Sequence, residues 1–441
     1  MRLIATLILI SILVMSATSA MANAAENTFV ITYWFGPELT DTRYAEVAGA
    51  NFTVAGPPAG AVGKEENIKY LDLCQKQGIK GMVHDPRVMA KNPGTPGFEE
   101  NLDGIIADYS KHPALYGYFL MDEPGPGIFP LLAGISRYLL KKDPAHVPYL
   151  NIFPNYVEQW PQAIDNLPYA EYVERYLSEV KPSFLAYDHY ALFEGYERDS
   201  YFENLEIIRT AAQKHGIPWM STVLSTPHYD YRDPREADLR WQAYTNMAYG
   251  GRGIGYYTYW TPAEVELGYR NGIIGRDGKR TEHYEMVKRV NGEMKALAPT
   301  LLKLKSTGVY HTGALPIGTK PLPQGTVIKS AVGADMVIGL FEGPKKSNWL
   351  MLVNRSPRKA ALSIVRFAKP QKVSEVDKIS GKLKPVSANS QANPTIQDLK
   401  FEPGEGRLFL LSPTVSISKK VNSIAHLNIP FEDFPFSNVE D

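Results

Sequence analysis

Eight short runs rich in β-branched and aromatic residues begin near Phe29, Asn51, Ile79, Ala114, Val147, Ser183, Ile217 and Gly253, 22 to 36 residues apart. Helical periodicity fills the intervals. Ile68, Leu71 and Cys74 share one face, as do Phe98, Leu102, Ile105, Ile106 and Tyr109, and then Phe202, Leu205, Ile208 and Ala212. Gly78, Gly216 and Gly250 stand where those helices should end in a left-handed cap. Strand and helix alternating eight times predict an α/β fold, a closed parallel (β/α)8 barrel of the TIM type, over residues 25–300.

The periodicity then changes. A last helix over residues 281–297 is expected to end at Pro299, and strands at 326–332, 336–341, 349–353 and 407–411 follow between Gly, Pro and Asn turns. They predict a small antiparallel β-sandwich over residues 301–413. The polar tail 414–441 lacks a clear period and is left as an extension.

At the other end, Arg2, an apolar run over residues 3–15 and small residues at 20–24 predict a cleavable signal peptide over residues 1–24. Export to the periplasm or the outside is therefore expected. The apolar run is short for a membrane span, and no later segment has about 20 uninterrupted apolar residues, so no membrane insertion is expected. Lys and Arg (47) balance Asp and Glu (47), which leaves no broad field for nucleic acid. The single cysteine, Cys74, excludes an intramolecular disulfide and a thiolate metal cluster. The 26 Tyr and 6 Trp suit either a packed core or surfaces that stack on sugar rings.

Reactive groups of such a barrel come from the C-terminal ends of its strands and the loops after them. Those ends carry Tyr33 and Trp34, His84 and Asp85, Asp122 and Glu123, Asn151 and Asn155 on strands one, three, four and five. Strand six ends in Tyr187, Asp188, His189 and Tyr190, strand seven leads to His228, Tyr229 and Asp230, and strand eight ends in Tyr259 and Trp260. Acids for an acetal, amides for hydroxyls and indoles for ring faces describe a carbohydrate site. Glycoside hydrolysis needs a proton donor and a second carboxylate. Paired acids leaving an apolar strand push at least one pKa upward, as a donor working near neutrality requires. Glu123 is the expected donor and Asp188 the second acid, sharing a parity with Phe184, Ala186 and Tyr190. Helix capping is the competing use of Asp122 and Glu123.

Because side chains alternate along a strand, Asp122 and Glu123 cannot both point straight into the barrel unless the backbone bends at Pro124, so Glu123 is expected over the axis, with Asp122 tuning it or binding a substituent. Trp260, on one side of its strand with Tyr256 and Thr258, is the expected floor under the sugar. Trp34, His84, Asn151, Tyr187, Tyr190 and His228 are the other expected substrate contacts. His228 and Asp230 are of metal-ligating type, but no close third partner is visible, so neither a metal nor another cofactor is expected.

These features resemble glycoside hydrolases with a TIM barrel and a C-terminal β-sandwich, over residues 28–412, and broadly the retaining clan that includes many β-galactosidases. Glu123 matches that clan's strand-four acid with Asp122 in the usual Asn place, and Trp260 matches its strand-eight tryptophan. The phrases GIIGRDGKRTEHYEMVKRVNGEMKAL and LKFEPGEGRLFLL are similar to the clan's last barrel helix and final sandwich strand. The chain departs at strand seven, where the clan's nucleophilic Glu is missing from IPWMSTVLSTPHYDY. The adjacent Asp122-Glu123 pair also resembles hexosaminidases, in which the substrate's acetamido group is the nucleophile and the Asp orients it. Tyr187-Asp188 and Trp260 are similar to positions used in chitinase-type barrels. Three routes stay open: substrate assistance through Asp122 and Glu123, a retaining Glu123–Asp188 pair, or an inverting pair with water between. A carbohydrate-binding protein on a degenerate barrel is the reading from another class.

Overall fold

The computed structural model describes residues 24–386 and 395–413. The expected signal segment up to residue 23 and the extension 414–441 lie outside the described residues. Eight strands form one parallel sheet: β1 Val30–Tyr33, β2 Val54–Ala55, β3 Lys80–Val83, β4 Leu115–Asp122, β5 Val147–Ile152, β6 Leu185–Asp188, β7 Trp219–Leu224 and β8 Gly253–Tyr257. Their order is β1-β8-β7-β6-β5-β4-β3-β2. Each is followed by its helix: α1 Asp41–Gly49, α2 Lys64–Lys76, α3 Phe98–Tyr109, α4 Phe129–Lys142, α5 Tyr169–Val180, α6 Tyr201–His215, α7 Glu236–Ala248 and α8 Glu282–Leu301. Gly216 caps α6 at φ 69°, as its position in the sequence required.

Closure between β1 and β2 relies on a side chain. The Thr53 hydroxyl accepts from the Ile31 N–H and donates to the Phe29 carbonyl, each at 2.8 Å, beside a backbone bond from Thr53 N–H to Ile31 O at 3.1 Å. Within the barrel, Val30, Val54, Met82, Tyr116, Phe119, Val147, Tyr149, Phe184, Ala186 and Met220 pack into a dry core. Ala25 from the turn Ala24–Asn27 joins them, and Ala24 N–H donates to Ala145 O just ahead of β5. A filled interior restricts any ligand to the top of the barrel.

α8 runs to Leu301, one turn beyond the expected stop, with Pro299 inside its last turn. The missing N–H of Pro299 costs the helix one bond near its end, too little to stop it while Leu297, Ala298 and Leu301 are buried. Two antiparallel sheets follow. One holds β10 Ile328–Val332, β13 Ala361–Phe367 and β16 Thr395–Phe401. The other, ordered β15-β14-β17-β12-β11-β9, holds β9 Lys305–His311, β11 Met336–Gly343, β12 Ser347–Asn354, β14 Gln371–Val376, β15 Leu383–Val386 and β17 Gly406–Pro413.

Their inner faces share a core that includes Ile338, Leu350, Val365, Phe401 and Phe409. The outer face of the larger sheet joins the barrel's helical layer through Val337, Phe341, Met351 and Val353. At this junction a Cβ on Gly339 would lie 2.3 Å from the Ala248 carbonyl oxygen, so only glycine lets β11 rest on α7. Trp241 Nε1 donates to Arg355 O at 2.9 Å, and Tyr249 and His311 are joined at 2.8 Å.

Candidate active site

The C-terminal ends of the strands open on a cavity of about 770 Å³. Asp122, Glu123, Asn151, Asp188 and Trp34 belong to its lining. β4 reaches this point through register shifts against β3 and β5, the second falling between Phe119 and Met121. A shift of this kind re-aims the side chains beyond it, and Asp122, three residues after the inward Phe119, faces the cavity. Glu123 then adopts φ 46°, and its N–H donates to Asn151 O at 2.8 Å. The bend lies at Glu123 itself, not at Pro124. A left-handed residue with a Cβ costs about 1–2 kcal/mol, so neighbouring contacts must hold it. Two consecutive carboxyls thereby enter the same cavity.

Asp188 ends β6 and is buried, 5% exposed. Between the acids, on β5, Asn151 Nδ2 donates to Asp122 Oδ1 and to Asp188 Oδ1, each at 3.0 Å. Burial, followed by the charges of Glu123 and Asp122, raises the Asp188 pKa well above the usual carboxylate range. Glu123 is raised first by burial and then by Asp122, while a hydrogen bond with Asp188 acts in the opposite sense. Neighbouring carboxyls cannot both ionise cheaply, so Glu123 and Asp188 each keep their protons to higher pH than a free carboxyl would. Asp122 presents its surface to the cavity, yet the surrounding walls strip enough water to push it up to about 6, against the bonds from Asn151 and the Glu123 N–H.

The walls are aromatic. Tyr190 lies 5.2 Å from Tyr257, and His228 stacks on Tyr269 at 4.9 Å and 18°. His228 is kept neutral first by burial, and its Nδ1 lies 2.9 Å from Thr226 O, so that nitrogen carries the proton and Nε2 is left as an acceptor. Trp34 donates from Nε1 to Thr222 Oγ1 at 3.3 Å and meets Phe119 edge to face. Trp160, Tyr196 and Tyr229 stand at the rim, 59%, 55% and 63% exposed.

Of the expected contacts, Trp34, Asn151, Tyr190 and His228 line this cavity together with the three acids, as do Tyr229 and Asp230. Trp260 does not. Tyr256, which shares its parity, points outward and bonds Asn291 at 2.8 Å, while Trp260 lies under the Arg43 guanidinium at 5.0 Å. The alternation was read correctly but assigned to the wrong face, and Tyr257 occupies the cavity instead. Tyr187 does not reach the cavity either: of opposite parity to Asp188, it is fully buried among outward-facing residues, 6.3 Å from Trp219. His84 packs edge-on against Phe119 at 4.7 Å and does not line the cavity. Asp85 is engaged by Arg87 and Tyr109, and His189 and Asn155 by Asn204.

Strand-end reasoning missed Tyr156, Gln159 and Trp160 after β5, Phe193, Tyr196 and Arg198 after β6, and Tyr231, Tyr257 and Tyr269. The aromatic density of NYVEQW and YALFEGYER was the available signal. Among the described residues, no group of three or more His, Cys, Asp or Glu side chains is arranged to hold a metal ion. None of the described helices is long and apolar enough to cross a membrane.

No protein family matches the chain by sequence, and no curated protein does. Solved structures share its fold. A glycoside hydrolase family 5 protein from Bacteroides vulgatus aligns at TM-score 0.53 and 10% identity, covering 87% of this chain and 88% of that one. A second, described only as a glycoside hydrolase, aligns at TM-score 0.52 and 12% identity over 87% and 92%. The β-galactosidase of the psychrophilic Marinomonas ef1 aligns at 0.46 and 10% identity, over 62% of this chain and 61% of its own length. The barrel with its following β-sheets is thus an architecture that glycoside hydrolases use.

Proposed function

We propose that this protein is an exported glycoside hydrolase, directed by residues 1–24, that cleaves O-glycosidic bonds in an oligo- or polysaccharide. The carrying observation is the carboxyl cluster in an aromatic cavity, where burial and neighbouring charge favour keeping a proton on Glu123 and Asp188. Glu123 donates that proton to the leaving oxygen. Asp188, buried and bonded to Asn151, keeps Glu123 supplied with it. Asp122 faces the cavity and is largely ionised at neutral pH, so it is the carboxylate that meets the substrate.

Contact between Glu123 and Asp188 does not suit the roughly 5–5.5 Å gap of a direct-attack pair or the roughly 6.5–9.5 Å gap that admits water. That favours Asp122 as orienter of a 2-acetamido group acting as nucleophile. The test is a panel of aryl glycosides, with and without 2-acetamido groups, against wild type, Glu123→Gln and Asp122→Asn. Turnover confined to acetamido substrates and lost in both variants is expected. Turnover of plain hexosides would return Asp188 to the role of second acid. Saccharide binding with no turnover of any substrate would make the protein a binding module.

A further inference from the structure

We propose that the saccharide bound here carries an oxyanion substituent, a uronate carboxylate or a sulfate ester, and that Arg198 binds it. This rests on the carbohydrate reading of the same cavity. Arg198 lies in the loop between β6 and α6, anchored by its backbone N–H to Ala191 O at 2.7 Å. Among the described residues lining the cavity it is the only Lys or Arg. Its guanidinium lies 4.1 Å from the Tyr156 ring and 4.8 Å from that of Phe193. Nε donates to the Tyr190 carbonyl at 3.3 Å and Nη2 to the Tyr231 hydroxyl at 3.1 Å.

Every one of these partners is uncharged. Glu197, next in the chain, is taken up by Arg232 at 2.9 Å and Arg358 at 3.2 Å. No carboxylate of the described residues pairs with Arg198, although Asp122, Glu123, Asp188 and Asp230 line the same cavity. A guanidinium has five N–H donors, and the remaining ones form a fork suited to a carboxylate or sulfate. The flanking rings keep water from it, which strengthens any charge pairing in its plane. Tyr156, whose ring lies 4.1 Å from the guanidinium, also lines the cavity that holds the acids. Acids and cation share the cavity without pairing, which assigns the anion to a substituent of the bound saccharide rather than to the protein. Trp160 and Tyr196, exposed at the rim, offer further faces for an oligosaccharide.

The test titrates the full-length protein with oligouronides, sulfated oligosaccharides and neutral oligosaccharides of matched length, following quenching of tryptophan fluorescence. One charged class should bind about tenfold or more tighter than the neutral series, as a charge-assisted bond provides. Added salt should weaken that preference, and Arg198→Gln should abolish it while changing neutral binding by less than about twofold. Arg198→Lys, which keeps the charge and loses the fork, should retain part of it. Preference for oligouronides assigns a carboxylate, and preference for sulfated chains assigns a sulfate ester. Equal binding of all three series by wild type, or equal loss of charged and neutral binding in Arg198→Gln, would overturn the proposal. The readout is affinity, so it stands or falls separately from turnover.

Discussion

Glu123 and Asp188 lie two strands apart in the barrel, and their carboxyls are near enough for each to disturb the other's ionisation. The contact exists because β4 is irregular. A register shift turns Asp122 toward the cavity, and the left-handed backbone of Glu123 turns the next side chain toward Asp188. Asn151, on the intervening strand, ties both aspartates to a single nitrogen. The two aspartates are thus separated by depth: Asp188 is buried and Asp122 is exposed in the cavity.

Replacing Asp188 by Asn should stabilise the protein as pH rises. The folded pKa of Asp188 is raised, so its contribution to stability is fully present below its unfolded value of about 3.9 and is lost as pH climbs toward the folded one. Asn keeps the bond from Asn151 without the titration. Thermal melts should show the variant gaining on wild type as pH rises above about 3.9, and no gain over that range would show that Asp188 does not titrate with folding.

Asn151→Ala removes a donor that lowers the pKa of both Asp122 and Asp188. Both acids should then ionise at higher pH, and the acidic limb of the pH dependence of kcat/KM should move upward. A loss of kcat/KM of about tenfold to a hundredfold is expected. An unshifted acidic limb would show that Asn151 only packs.

The two tryptophans should separate cleanly. Trp34→Ala removes an indole from the cavity and should raise KM or Kd by about tenfold. Trp260→Ala removes the surface under Arg43, costing about 0.5–1 kcal/mol of stability from that contact, and should leave KM unchanged.

Gly339→Ala should destabilise the whole molecule, because a methyl group would meet the Ala248 carbonyl oxygen at 2.3 Å. Overpacking at such a junction costs about 1–3 kcal/mol. Barrel helices and sandwich share one apolar cluster, so calorimetry should show a single transition moving to lower temperature rather than one domain melting alone.

Strand and helix spacing made the barrel legible in the sequence, because each unit repeats the same physical demand for a buried strand and an amphipathic helix. Glu123, Asp122 and Asp188 could be picked out as acids at the ends of apolar strands, a signal that also selected Asp85, which instead accepts from the Arg87 N–H and side chain. Period alone does not say which set of alternate residues faces inward, and this misplaced Trp260, whereas Tyr187 was expected at the site against the parity of its own strand. A register shift hides in a sequence as one more apolar residue, so Leu120 gave no sign of the irregularity that aims Asp122. Pro299 marked the end of α8 by local rule, and burial of Leu301 carried the helix past it. The aromatic wall came from loops whose course depends on contacts distant in the chain, such as Phe193 against Tyr231 at 4.8 Å.

The threonine hydroxyl that fastens β1 to β2 gives the cylinder its weakest join, since one side chain does work that backbone pairing does elsewhere. Breathing of the barrel should begin there, with the amides of Ile31 and Thr53 trading hydrogen for deuterium before those of β5. That join lies half-way round the circumference from the acids, whose spacing is fixed by the unbroken succession of β4, β5 and β6. The arrangement of the acids is therefore insulated from the place where the wall gives way first.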